Sequence, residues 1–157
     1  MKITLDKNDK IWEIISLLLL LTQALIIALT LPSLPDKIAI HFDGSGQADG
    51  WGNKNTLWLS LGLSILIYAF LTFVSYRPGF YKSRMTKNNL DEQYKLTSKM
   101  ARTVKSFIIL AFIALTTFMV MTAQGKWTGL IPFLFLIFFA LVIPPCIYYA
   151  IKISKVQ

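Results

Sequence analysis

The sequence predicts an all-α membrane protein of four transmembrane helices, N-in and C-in. A compact extracytoplasmic loop joins helices one and two, and a long third helix extends into the cytoplasm. Three observations predict this class. Of 157 residues 55% are hydrophobic and only 15% charged, against about a quarter charged in an ordinary soluble domain. The apolar residues gather in four blocks, 14–31, 56–75, 107–123 and 129–151, none containing Asp, Glu, Lys or Arg. Each block approaches the ~17–25 residues a helix needs to cross the hydrocarbon core. The third observation is the placement of charge. Lys2, Lys7 and Lys10 precede the first block, eight basic residues lie between Arg77 and Lys105, and Lys152 and Lys155 follow the fourth. Thirteen of the sixteen basic residues therefore share one side, leaving Lys37, Lys54 and Lys126 for the other. The positive-inside rule assigns the richer side to the cytoplasm. The net charge of +8 is thus read as topology, and no nucleic-acid partner is expected. The chain is expected to be one membrane domain over 1–157, with spans about 11–31, 56–76, 103–123 and 129–151, an outer loop 32–55 and a cytoplasmic connection 77–102.

The first helix is expected to open near Asp9, capped by Asp9 or Asn8, with Trp12 at the interface. Its apolar run of about 18 residues exceeds the ~7–15 of a signal-peptide core, so an uncleaved anchor is expected. Ala24 with Ala28, and Ser60 with Ser64 on the second helix, form small-xxx-small pairs that let backbones approach in lipid. The first two helices are therefore expected to pack together. The second ends at Ser75-Tyr76-Arg77-Pro78-Gly79, where an interfacial aromatic, a charge and a Pro-Gly turn stop it.

Asn89 with Glu92 three residues on, and acids in the first turn, marks the start of the third helix. Leu90, Tyr94, Thr97, Ala101, Val104 and Ile108 recur at helical spacing, and nothing breaks the stretch 90–123, so one helix of more than thirty residues is predicted. Lys95, Lys99 and Arg102 lie opposite that face as a basic cytoplasmic face. Such a face is solvated near anionic lipid or docks a cytoplasmic partner. The fourth helix carries Pro132 in its first turn, and Pro144-Pro145 well inside should kink or break it. Phe133, Phe135, Phe138 and Phe139 are expected to pack or to face lipid, and Cys146, the lone cysteine, to be a small apolar filler.

The loop 32–55 concentrates the polar chemistry. Pro32 and Pro35 stiffen its exit from the first helix. Ile38, Ile40 and Phe42 alternate with Lys37, Ala39 and His41 as a short strand with one apolar face. Turn dipeptides follow at Asp43-Gly44, Ser45-Gly46, Asp49-Gly50 and Trp51-Gly52. A compact cap over the outer helix ends is expected, shaped by Pro35, Asp36, Gly46, Gly50 and Gly52, with Trp51 at the interface. His41, Asp43, Asp49, Trp51 and Lys54 are the candidate ligand- or partner-binding residues.

Asp43, Ser45 and Gln47 are spaced two apart like the start of a calcium loop, but the twelfth position is Lys54 rather than an acid and the sixth is not glycine. His41 with Asp43 and Asp49 could hold a transition metal or serve in acid–base chemistry, although one His without a nearby Cys makes a thin site. No nucleophile elbow, phosphate loop or paired metal motif occurs, so neither an enzyme nor a cofactor is expected. Within the spans stand only Gln23, scattered Ser and Thr, Tyr68 and the proline pair, which argues against ion coupling in a monomer. An oligomeric pore stays open.

Leu34-Pro35-Asp36-Lys37-Ile38-Ala39-Ile40-His41-Phe42, then Gly46, Asp49, Trp51-Gly52 and Lys54, resembles a widespread bacterial and archaeal membrane domain of unknown function whose signature runs approximately LPDxIPxHF…GxxDxWGxK. The Asn89-Leu90-Asp91-Glu92-Gln93-Tyr94 stretch is similar to a segment common in its stand-alone members. Ala39 stands where that family usually has proline, and Asp43 where Asn is common. The domain also opens the SdpI-type immunity proteins, which protect bacteria from a secreted killing peptide and signal its presence by sequestering a repressor at the membrane. The present chain stops after four spans and lacks their further membrane half. The resemblance implies a non-enzymatic sensing or immunity role in a plasma membrane, with a peptide, lipid or membrane-protein partner outside. The alternatives are an accessory subunit of a larger membrane complex and a metal-dependent membrane enzyme using His41, Asp43 and Asp49.

Overall fold

The computed structural model describes residues 5–77, 89–127 and 131–156, with the side chains of 131–135 set aside. The order of elements is α1 (Lys7–Thr30), a 3-10 turn (Leu31–Ser33), β1 (Lys37–Phe42), β2 (Ala48–Asn53), α2 (Thr56–Tyr76), α3 (Leu90–Ala123) and α4 (Ile131–Ser154). Among the described residues four helices are long and apolar enough to cross a membrane, which makes this a multi-pass membrane protein. The Pro78-Gly79 stop, Lys2, Lys82 and the side chains of Pro132, Phe133 and Phe135 lie outside the described residues.

α1 starts earlier than its sequence suggests. Asp6 is the cap: its carboxylate accepts from the Asp9 N–H at 2.9 Å, and Asp9 accepts in return from the Asp6 N–H at 3.0 Å. Asp9 is therefore the reciprocal third residue of a capping box, which satisfies two donors that would otherwise be orphaned at the helix start. α3 has the expected length, 34 residues, about 51 Å at 1.5 Å per residue. Its cap differs: Asn89 adopts φ 52 and its side chain caps nothing. The Asn89 amide instead donates to the Val156 carbonyl at 3.4 Å, tying the start of α3 to the end of α4.

α3 is the hub, packed against α1, α2 and α4. α1 and α2 do pack together, as expected, though less extensively than either packs on α3. Ala28 is exposed, while Ser60 and Ser64 are buried. Polar groups decide the difference. Ser60 accepts from Gln23 and shares a 3.1 Å hydroxyl bond with Thr116 of α3, so the small-residue face of α2 turns toward α3. α4 is one helix through Pro144 and Pro145, so of the expected kink or break, the break does not occur.

The loop folds as an antiparallel hairpin, pairing Lys37 with Asn53, Ile38 with Gly52 and Ala39 with Trp51, then slipping register so that His41 faces Gly50 and Phe42 faces Ala48. The first slip is a bulge at Ile40, and a bulge shifts every later side chain by one face. Ile38 and Ala39, ahead of the bulge, are both buried and Ile40 is exposed, in place of the simple alternation the sequence suggested. Ile38 and Leu34 join Ile27, Leu57, Leu61, Met119 and Val120 in one apolar cluster. Phe42 stacks on Phe118 of α3 with ring centroids 5.1 Å apart, and Phe118 in turn meets Trp127 at 6.1 Å. The hairpin is thereby seated on one end of the bundle.

Candidate functional site

Two polar constellations stand out, one at each end of the bundle. At the hairpin end, Asp43 organises the tip. Its Oδ1 accepts from the Ser45 N–H at 2.9 Å, the Ser45 hydroxyl at 2.7 Å and the Gln47 N–H at 2.9 Å. Those bonds, the Ser45 hydroxyl foremost, hold its carboxyl below the usual carboxylate range. Gly46 closes the turn at φ 85 and donates to the Asp43 carbonyl, a conformation open to glycine at little cost.

His41 Nδ1 lies 2.5 Å from Asp49 Oδ1 on the exposed side of the strands. Lys54 fastens the base: its N–H donates to the Asp36 carbonyl at 3.0 Å, and its ammonium to the Leu34 carbonyl at 3.1 Å, with the Asp36 carboxylate 3.3 Å away. Pro35 is exposed between these two anchors. Gly50 and Gly52 have a steric reason. A Cβ at Gly50 would lie 2.7 Å from the His41 Cβ, and one at Gly52 2.5 Å from the tip of Ile40. Trp51 is 62% exposed.

The structure therefore brings His41 and Asp49 together and turns Asp43 into its own loop. Among the described residues no group of three or more His, Cys, Asp or Glu side chains gathers where a metal could sit.

The other constellation escaped the sequence reading. Arg102, expected on an exposed basic face, is 1% exposed and lies inside the bundle. Its Nε donates to Glu13 at 3.1 Å and its Nη1 to Asp9 at 3.4 Å, while its guanidinium sits 5.0 Å over the Tyr76 ring. Lys105 is fully buried; it donates to the other Glu13 oxygen at 2.7 Å and to the Thr72 hydroxyl at 2.8 Å, and lies 4.5 Å over the Tyr68 ring. Lys99 pairs with Asp6, and only Lys95 of the three expected residues is openly solvated. The physical reason is charge balance. Two acids on α1 face two bases on α3, and an isolated buried charge would be far costlier than a paired one.

Deeper in the bundle the same interface continues with Ser16 and Ser106, whose hydroxyls are 2.8 Å apart, and with Gln23, whose amide donates to Thr116 at 3.1 Å. The signal was present in the sequence. Asp9, Glu13, Ser16 and Gln23 fall at steps of four, three and seven, and so do Arg102, Ser106, Ile109 and Thr116. Each set marks one stripe of a helix, and their chemistry is complementary.

Fold and sites together define a multi-pass membrane protein with a paired-charge core at one end and a pinned β-hairpin at the other. Residues 17–65, which take in most of α1, the hairpin and the first half of α2, match the family described as Domain of unknown function (DUF1648). No curated protein and no solved structure matches the chain.

Proposed function

We propose that the protein is a non-enzymatic recognition protein of a bacterial or archaeal plasma membrane. Both termini lie in the cytoplasm, and the hairpin engages an extracytoplasmic peptide, lipid or membrane-protein partner. The role is one of immunity or signalling, by analogy with the SdpI-type proteins that share the loop signature. The observation that carries this reading is the combination of a hairpin fixed at its base and on α3 with side chains left unsatisfied outside. Lys54 and the Phe42–Phe118 stack hold it, yet Trp51 and Ile40 stay exposed beside the His41–Asp49 pair. Aromatic residues presented on a rigid element are the commonest anchors of protein recognition. Thirteen of sixteen basic residues on the far side support the orientation.

A photo-crosslinking residue at position 51 in living cells tests the reading. It should give a discrete adduct with one extracytoplasmic peptide, protein or lipid species distinct from the bulk lipid, and the His41→Ala/Asp49→Ala variant should lose it. A control at the lipid-facing position 63 of α2 should give lipid adducts alone. If position 51 gives the same lipid adducts as position 63, recognition through the hairpin is wrong.

A second reading, an accessory subunit of a larger membrane complex, draws on α4. Its apolar window is entirely unburied and it packs on α3, so most of its surface is available to lipid or to another subunit. A stoichiometric partner retained through isolation in mild detergent would favour that reading.

A further inference from the structure

Between α1 and α4, with α3 as its floor, runs a lateral groove of about 450 Å³ whose walls include Trp12, Phe107, Leu141, Pro144 and Tyr148. Its walls are mainly apolar and its size falls in the range of small-ligand sites, about 300–1,000 Å³. A smaller cavity of about 210 Å³ continues it toward the charged end, with walls about equally apolar (Ile11, Ile15) and polar (Asn8, Asp9, Lys99). Trp12 and Tyr149 border both. At the junction the Thr103 and Tyr149 hydroxyls stand 3.5 Å apart. The result is one elongated site with a long apolar part and a short, more polar one, aligned with the bundle.

We infer that this groove binds a single anionic phospholipid, one acyl chain lying along Trp12 and Pro144 and the phosphodiester at the Lys99 end. The chemistry of the two parts matches the two parts of a lipid. Charge selects the headgroup. Lys99 lines the polar cavity, Lys152 sits 4.7 Å over the ring of Tyr148 at the same end of α4, and Lys7 and Lys10 are exposed on the first turns of α1. Asp6 already matches the charge of Lys99, and Asp9 pairs with Arg102, so the positive charge left for a headgroup is that of Lys152, Lys7 and Lys10. The proline pair also finds a use. Pro144 and Pro145 lack N–H groups, and their rings present a smooth apolar wall against which a chain can lie. This site is separate from the hairpin and does not depend on which side of the membrane the hairpin faces.

Tryptophan quenching by brominated lipids reads the site directly. In a chain retaining only Trp12 (Trp51→Phe, Trp58→Phe, Trp127→Phe), the quencher is brominated phosphatidylglycerol or phosphatidylcholine at equal mole fraction in otherwise unlabelled phosphatidylcholine vesicles. The anionic lipid should associate several-fold more strongly with the Trp12 site. Ala140→Phe should fill the groove and abolish the preference. Lys152→Gln, at an exposed helix end that leaves folding intact, should reduce it about fivefold, as expected for one charge lost beside an anionic headgroup. Equal quenching by the two lipids overturns the proposal, as does a preference that survives Ala140→Phe. Absence of quenching by either lipid also overturns it, because a protein helix then fills the groove.

Discussion

Asp43 and Gly50 show how single residues fix the hairpin. Asp43 works through one oxygen that takes three donors, and asparagine carries an equivalent oxygen. Asp43→Asn should therefore keep the tip, whereas Asp43→Ala removes the acceptor of all three donors and should loosen it. Amide exchange at Ser45 and Gln47 distinguishes the two. At Gly50 an added Cβ meets the backbone-proximal Cβ of His41, while at Gly52 it meets the movable end of Ile40. Gly50→Ala should accordingly destabilise by about 1–3 kcal/mol through overpacking, and Gly52→Ala by less. Thermal unfolding in detergent checks the order; an equal effect would mean the strands separate freely. The glycines were legible in the sequence as turn formers, but their role beside cross-strand neighbours depends on a bulge that no alternation pattern announces.

Among the elements, α1 and α3 carry most of what the sequence concealed. The length of α3 follows from an unbroken helical stripe, but Arg102 lies opposite that stripe, and the pattern of one helix does not show the acids on another that take it inside. Asp9 and Glu13 had first to be recognised as partners on a separate helix. Arg102→Ala leaves the buried Asp9 and half-buried Glu13 carboxylates with less compensation and should cost about 3 kcal/mol. Arg102→Met combined with Asp9→Asn, which leaves Glu13 to Lys105 and keeps an acceptor for the Asp6 N–H, should recover much of that loss, as paired charges exchanged together often do. Unfolding of the single and combined variants in mixed micelles measures the difference. The start of α1 also predicts an acid response. Lys99, donating to the Asp6 carboxylate, holds its pKa at about 2 against an ordinary 3.8. A carboxyl with a lowered pKa stabilises the fold above its unfolded value and loses that contribution as pH falls toward the folded one. Stability should thus decline between about pH 4 and pH 2, and the Asp6→Asn variant should show a flatter decline in the same titration.

For the molecule as a whole, hydropathy and charge were enough to read four helices, because lipid forces every spanning segment to satisfy its own backbone and to stay apolar for some twenty residues. What they could not give was the central position of α3. That arrangement depends on side-chain hydrogen bonds between helices, and hydropathy is blind to them. The proposed orientation has a direct check. A cysteine at position 155, in a chain whose native Cys146 is replaced by alanine, should be blocked by a membrane-impermeant maleimide only after cell lysis, and one at position 47 should react in intact cells. The reverse pattern would invert the topology.

The contacts between α1 and α3 hold a nearly constant sequence offset: 93 for Asp6–Lys99 and Asp9–Arg102, 92 for Glu13–Lys105, 90 for Ser16–Ser106 and 93 for Gln23–Thr116. Apolar helices in lipid slide past one another at small cost, because one greasy ridge resembles the next. These two cannot. A vertical slip of one turn, about 5.4 Å, would break the Lys105–Glu13, Ser16–Ser106 and Gln23–Thr116 bonds together. Motion passed along the bundle from the hairpin must therefore move α1 and α3 as a single strut, by tilting or by shifting against α2 and α4, and never as a piston.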